Sequence, residues 1–105
     1  MNEERRRRLA GRGWHVGTAE ELLGLAEDEI AYIEIFLALA ASLRATRRRL
    51  GLTQVELAAR IGSSQSRVAK METGDSTVTI DRIIRAHLSL GVSPGTLAEV
   101  IRAAS

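Results

Sequence analysis

Hydrophobic residues recur at helical spacing in two short runs between Thr53 and Gly74. The positions that share a helix face are Leu57, Ala58 and Ile61 in the first run, and Val68 and Met71 in the second. Gly62 separates the two runs, and a tight turn between helices commonly needs one residue at positive φ. The pattern therefore predicts two short helices that are joined by a tight turn.

Polar residues mark the start of both helices. Thr53 and Glu56 have the spacing of a capping box, and either Ser63 or Ser64 is placed to cap the second helix. The small side chain of Ala58 suits a point where two steeply crossed helices touch. The positions of both helices are thus encoded locally.

The exposed face of the second helix carries side chains that can bond bases or phosphates. These residues are Gln65, Ser66, Arg67 and Lys70. Glutamine and arginine can bond base edges bidentately in the major groove, and lysine and serine can reach bases or phosphates. The pattern is typical of a helix-turn-helix, and DNA binding is the first hypothesis that it supports.

A longer helix is predicted to start near Ala26, with acidic residues in its first turn, where negative charge is favourable. Its apolar residues lie almost all the way round, so we expect it to be buried on more than one side. The pattern fits one long helix and also fits two helices with a break between Leu39 and Ser42. Within residues 39–50 we expect Leu43 and Leu50 to face the core. Arg44, Arg48 and Arg49 are expected to face outward.

Two further helices are predicted downstream. Thr79 is the expected cap of a helix from Ile80 to about Leu90, and Gly91 is expected to end it. The expected core-facing residues of this helix are Ile83, Ile84, His87 and Leu88. Ser93 and Pro94 suit the N-cap and first position of a final helix. Because no strand-like alternation extends beyond residues 76–80, the predicted fold is all-α.

The composition of the chain argues against several classes of function, namely disulfide, metal and catalytic chemistry. The chain of 105 residues has no cysteine and only two histidines, which argues against disulfides, thiolate chemistry and a metal site. It has no Ser–His–Asp arrangement and no phosphate-cradling glycine loop, so no catalytic residue and no cofactor is predicted. Neither a signal peptide nor a membrane-spanning run is apparent, which fits a cytoplasmic protein without membrane contacts.

The net charge of +2 conceals blocks of opposite sign. Residues 1–13 are rich in arginine and glycine and are expected to form a flexible basic arm. Trp14 is expected to begin the ordered part, and Thr18 and Glu21 have the spacing of another capping box. Residues 14–34 carry six acidic residues and no lysine or arginine, whereas residues 35–50 carry four arginines. The blocks suggest two surfaces for two kinds of partner, and solvated helix faces are the alternative explanation.

Residues 39–104 closely resemble the Xre/lambda-repressor-like (Cro/C1-type) helix-turn-helix family. The segments that carry the resemblance are Arg47–Gly51, Leu52–Gln54, Glu56–Ala58, Gly62, Ser63–Met71, Glu72, Gly74 and Leu90–Ser93. The resemblance implies a five-helix domain that binds double-stranded operator DNA as a two-fold homodimer. It also implies that the second helix of the motif, the recognition helix, enters the major groove.

The resemblance implies residue roles as well. The base-reading positions of the family fall on Gln65, Ser66 and Lys70, with Arg67 as a further candidate. The positions expected on the DNA backbone are Gln54 and Ser64. A structural ion pair that ties the first helix to the end of the recognition helix falls on Arg47 and Glu72.

The loop after the recognition helix departs from the family pattern. Members often carry lysine or arginine there, whereas residues 75–77 are Asp, Ser and Thr. Phosphate affinity is then expected from Arg44, Arg48 and Arg49, together with helix N-terminal amides and the basic arm. Dimerisation becomes more necessary for tight binding.

The segment of residues 21–35 looks like the N-terminal region of small HigA-type antitoxins. Those proteins neutralise a basic RelE/HigB-like ribonuclease toxin and repress their own operon. We therefore divide the chain into a basic arm (1–13), an acidic and apolar helical extension (14–38) and a DNA-binding domain (39–105). The candidates for toxin binding are Glu27, Asp28, Tyr32, Ile35 and Phe36. An acidic, apolar helix suits the masking of a basic RNA-cutting enzyme.

Two functions remain open from the sequence. The first is an antitoxin that is also the autorepressor of a type II toxin-antitoxin operon. The alternative is a stand-alone, phage-type repressor without a toxin partner, in which the acidic helix only builds a dimer or the core.

Overall fold

The computed structural model describes residues 26–104, together with Arg7. The predictions for the basic arm beyond Arg7, for Trp14 and for the capping box of Thr18 and Glu21 lie outside these residues. The described helices are α1 (Ala26–Arg49), α2 (Gln54–Ile61), α3 (Gln65–Thr73), α4 (Ile80–Ser89) and α5 (Pro94–Ala103). The all-α fold is confirmed. Among the described residues, no helix combines the length and the apolar character that crossing a membrane requires.

The long helix α1 is continuous, so the choice between one helix and two is settled in favour of one. Its acidic first turn and basic last turn both complement the helix dipole. The division expected between residues 38 and 39 falls inside this helix. Ile33 and Phe36, which precede the division, are buried core residues. Residues on both sides of the expected boundary therefore contribute to the same core.

The core forms where α1 meets the other helices. Helix α1 packs against α3, α4 and α5, and α2 packs against α3 and α4. The buried cluster contains Phe36, Leu39, Ala40, Leu43, Leu57, Ala58, Val68, Met71, Val78, Ile83, Ala86 and Leu97. The apolar residues of the two-helix motif thus join the helices around them in one core.

Two leucines that were expected in the core are exposed, each to 47%. Leu50 follows the end of α1 at Arg49, so it lies in the turn and leaves the helical repeat. The buried residues of α4 are Ile83, Ala86 and His87, and a rotation of about 100° per residue carries Leu88 away from that face. Both inward assignments were wrong.

The structure shows which of the predicted residues cap the helices. The Thr53 hydroxyl accepts from the Glu56 amide at 3.1 Å, and the Glu56 side chain accepts from the Thr53 amide at 3.1 Å. Ser64 caps α3, whereas the Ser63 hydroxyl is buried and has no hydrogen-bond partner among the described residues. Thr79 occupies the N-cap position of α4, but its side chain makes no cap hydrogen bond.

Glycines occupy the left-handed positions after α2 and α3. Gly62 has φ 66° and allows the Ser63 amide to reach the Ala58 carbonyl at 2.8 Å. Gly74 has φ 73° and is buried beneath α1, where an added Cβ would collide with the Leu37 side chain. The turn at Gly74 therefore needs glycine both for its backbone angle and for its contact with α1.

A buried ion pair joins α1 to α3. The Arg47 Nε donates to Glu72 Oε2 at 2.5 Å, and Arg47 Nη2 donates to Glu72 Oε1 at 2.9 Å. Arg47 Nη1 also donates to the Leu52 carbonyl at 2.7 Å. The hydrogen bonds from Arg47 to Glu72 raise the pKa of Arg47 above its ordinary value, although burial opposes this. Arg47 is therefore charged, and each of its three guanidinium nitrogens donates a hydrogen bond.

Replacing Glu72 with alanine should lower the free energy of unfolding by about 3–5 kcal/mol, because a buried guanidinium loses its counter-charge. Urea denaturation measures this loss. The double variant Arg47→Met/Glu72→Leu should recover much of it, because apolar groups of similar volume carry no desolvation cost. A double variant no more stable than Glu72→Ala would contradict this assignment of the loss to the unpaired charge.

His87 faces the core, as expected, and is completely buried. Its Nδ1 lies 2.9 Å from the Ile83 carbonyl, and its Nε2 has no hydrogen-bond partner among the described residues. Burial lowers the pKa of His87, and the bond to Ile83 opposes this only in part. The folded protein therefore holds this imidazole neutral.

Stability should fall as the pH drops below about 6.5, because the unfolded chain then binds a proton that the folded chain rejects. This one group contributes at most about 1.4 kcal/mol per pH unit to the slope. Denaturant unfolding at a series of pH values measures the slope for the natural chain and for His87→Leu. Equal slopes in the two proteins would show that His87 is not responsible.

Candidate nucleic-acid interface

Helix α3 separates its residues cleanly into a buried and an exposed side. Val68 and Met71 are buried in the core. The predicted base-reading residues Gln65, Ser66, Arg67 and Lys70 are all exposed. The Ser64 hydroxyl accepts from the Arg67 amide at 3.2 Å and so fixes the first turn of the helix. The packing of α3 therefore brings the polar residues together on one accessible surface.

A chain of hydrogen bonds runs from the buried ion pair to this surface. Glu72 Oε1 accepts from Gln54 Nε2 at 3.2 Å, and Gln54 Oε1 accepts from Gln65 Nε2 at 2.6 Å. Gln54 is the first residue of α2, and Gln65 is the first residue of α3. The starts of the two helices are thereby tied to each other and to Arg47. Gln54 consequently has a structural role in addition to the backbone contact predicted from the sequence.

The anchored Gln65 keeps the groups that base recognition requires. One N–H of its amide is used by Gln54, so a second N–H and the carbonyl oxygen remain. A donor and an acceptor held side by side match the N7 and N6 groups of adenine in the major groove. Gln65 is therefore oriented before any ligand arrives.

A hollow of about 450 Å³ lies on the surface beside α3. Its lining comes from the start and exposed side of α3, from the following loop and from the first turn of α4. The lining residues are Ser64, Ser66, Arg67, Lys70, Thr77, Val78, Thr79 and Arg82. We call this depression the recognition hollow. Polar atoms and three cationic side chains dominate it, which suits a polyanion.

Asp75 gives the loop after α3 a negative charge. Its Oδ1 accepts from the Thr77 hydroxyl at 2.5 Å and from the Thr77 amide at 2.8 Å. These bonds lower the pKa of the carboxyl group, and the positive charge of Lys70 acts in the same direction. The carboxylate is thus ionised and close enough to Lys70 to offset part of its charge.

The arginines at the end of α1 point in different directions. Arg44 and Arg48 are exposed, and neither forms an ion pair within residues 26–104. Arg49 instead lines a groove against the α4–α5 turn, together with Ser42, Thr46 and Ser93. This groove shares no residue with the recognition hollow. Arg44 and Arg48 remain available for the predicted backbone contacts, and Arg49 faces another part of the surface.

The start of α1 presents charge and one aromatic ring. Glu27 and Asp28 are exposed, and Tyr32 is 42% exposed with its ring centroid 6.1 Å from that of Phe36. Ile35 is half-buried against the core. Phe36 has no exposed surface, so its assignment as a residue that touches a partner was wrong. The Phe36 ring is buried in the core and packs against the Tyr32 ring, which it holds in place.

Sequence reasoning missed four residues of the recognition hollow, namely Thr77, Val78, Thr79 and Arg82. The loop itself carries no positive charge, and the cation comes from the helix that follows it. Arg82 lies three residues beyond the Thr79 N-cap, so the predicted start of α4 already placed a cation one turn from the loop. Only the packing of α4 shows that this cation lies beside Arg67 and Lys70.

Among the described residues, no group of three or more potential metal ligands occurs.

The comparisons agree with this geometry. The model of the helix-turn-helix family matches residues 43–97, which is more than half of the chain. No curated protein and no solved structure gives a significant match. The matched span contains α2, α3 and the whole recognition hollow. The chain therefore belongs to the Xre/lambda-repressor-like helix-turn-helix family of DNA-binding transcriptional regulators.

Proposed function

We propose that this regulator is the antitoxin and autorepressor of a type II toxin-antitoxin operon. In this proposal a homodimer reads operator DNA through α3, and the start of α1 binds a basic RelE/HigB-like toxin. The DNA-reading half is carried by the hydrogen-bonded chain that orients Gln65. The toxin-binding half is carried by the exposed acidic turn beside Tyr32.

The base contacts in this proposal come from the exposed side of α3. Gln65 offers a fixed donor–acceptor pair, and Arg67 and Lys70 offer donors to guanine or to phosphate. Ser66 lies next to Gln65, with its hydroxyl 3.4 Å from that of Ser64. Backbone contacts would come from Gln54 and Ser64 at the helix starts and from the exposed Arg44 and Arg48.

A homodimer is part of the proposal for an energetic reason. One α3 reaches only a few base pairs, and Asp75 reduces the positive charge behind it. Pairing two copies lets the second recognition helix bind as an almost intramolecular step. Two-fold members of this docking class place their half-sites one helical turn apart, about 34 Å.

The toxin-binding surface needs charge and an apolar anchor together. Glu27 and Asp28 supply negative charge that would attract a basic partner and steer its approach. Tyr32 supplies a partly exposed ring that is already held against Phe36, so little side-chain freedom would be lost on binding. Ile35 borders this surface but also packs into the core, so its contribution is smaller.

Replacing Gln65 with alanine should weaken binding to a duplex selected by the protein from a random pool by about 1–3 kcal/mol. Binding to a random duplex of equal length should not change, since that binding depends on phosphates. Fluorescence anisotropy titrations measure both affinities. Thr73→Ala is the matched control, because Thr73 is an exposed polar residue at the opposite end of α3. Equal losses on the two duplexes would show that Gln65 does not read bases.

Replacing Tyr32 with alanine should weaken binding to the toxin encoded by the adjacent reading frame at least about fivefold, as expected for an aromatic anchor. DNA binding and the melting temperature should change little, because Tyr32 lies outside the core. Co-purification and calorimetry measure the interaction. Point variants are more informative here than deletion of residues 14–38, which would remove the core residues Ile33 and Phe36.

Glu99→Gln on α5 is the matched control for the acidic surface, because it removes an exposed carboxylate far along the chain. Glu27→Gln/Asp28→Asn should slow toxin association, whereas Glu99→Gln should not. A natural chain that binds operator DNA but captures no neighbouring toxin would favour the stand-alone repressor instead.

A further inference from the structure

Arg82 places a positive charge beside the recognition helix where the sequence of the loop has none. It lies in the first turn of α4 and lines the recognition hollow together with Arg67 and Lys70. The loop that separates α3 from α4 contributes Asp75 and the neutral residues Ser76 and Thr77. The positive charge that the loop lacks is therefore supplied by the neighbouring helix α4.

No residue within 26–104 neutralises the charge of Arg82. Its guanidinium makes no hydrogen bond or ion pair with the residues that the structure describes. The adjacent carboxylate of Asp81 is instead bonded by Arg85 at 3.1 Å. Arg82 is exposed, so an anion that enters the recognition hollow can approach it directly.

The position of Arg82 favours phosphate over bases as its target. From α3, the hollow is lined by Ser66, Arg67 and Lys70, which are three of the four proposed base-reading residues. Thr77, Thr79 and Arg82 line it from the following loop and from α4. A helix seated in the major groove, which is about 12 Å wide, has a sugar-phosphate backbone on either side. Groups set back from the helix across a hollow therefore face a backbone and not the base edges.

Thr79 adds a neutral donor beside this charge. Its side chain makes no cap hydrogen bond to α4, in contrast to the capping residues Thr53, Ser64 and Ser93. Thr79 is exposed and lines the same hollow. A guanidinium and a hydroxyl from the same turn provide a charged and a neutral donor for a phosphate oxygen.

We propose that Arg82 and Thr79 form a phosphate-binding site on the DNA backbone that flanks α3. The site sets affinity without reading sequence, and it substitutes for the cation that the loop lacks. This inference rests on the proposed reading of DNA by α3. It assigns a binding role to α4, which otherwise only packs on the core.

The test compares Arg82→Gln with the natural full-length chain. Affinity is measured by anisotropy between about 50 and 200 mM salt, on a duplex selected by the protein from a random pool and on a random duplex. The slope of log Kd against log salt should fall by about 0.9 for each bound chain, and the loss should be equal on both duplexes. Arg82→Lys should retain most of the slope, because it retains the charge.

Arg85→Gln is the matched control. Arg85 is an exposed residue of the same helix, three residues further on. It is paired with Asp81 and does not line the recognition hollow. Its replacement should leave the slope unchanged. Circular dichroism melting of each variant verifies that the fold is retained, which is expected for exposed residues.

Each outcome separates the inference from the function on which it rests. If the natural chain binds neither duplex in a salt-dependent way, the reading of DNA by α3 itself fails. If the natural chain binds normally but Arg82→Gln keeps its full slope, only the phosphate site is overturned. A loss confined to the selected duplex would make Arg82 a base contact and would also overturn the phosphate site.

Discussion

The bidentate contact between Arg47 and Glu72 is the constraint on which the binding surface depends. It joins the end of α1 to the end of α3 inside the protein, where an unpaired charge would be costly. The same carboxylate accepts from Gln54, and Gln54 in turn accepts from Gln65. One buried charge pair therefore sets both the placement of α3 and the orientation of its first side chain.

Helix α1 connects the two proposed binding surfaces. Its middle and end supply Phe36, Leu39 and Leu43 to the core, and its last turn supplies Arg47 to the ion pair. Its first turn carries exposed acidic residues and lies just before Tyr32. Because the helix is unbroken, the residues proposed to bind a toxin are continuous with those that hold the DNA-binding fold together.

Charge around α3 is balanced by residues from several elements. Arg67 and Lys70 come from α3 itself, Asp75 from the following loop and Arg82 from α4. Asp75 is held by Thr77 and offsets part of the charge of Lys70, whereas Arg82 has no such partner in the part of the chain that the structure describes. The net attraction for a polyanion is therefore a property of this assembled surface and not of the recognition helix alone.

The sequence by itself determined the features that depend on neighbouring residues. The capping box at Thr53, the turn at Gly62, the cap at Ser93 and the exposed face of α3 all follow from local spacing. The tertiary structure decided the rest: the unbroken α1, the burial of Phe36, the exposure of Leu50 and Leu88, and the approach of Arg82 to Lys70. These features depend on which helix faces which, and that is decided by packing between residues far apart in the chain, which helical periodicity does not report.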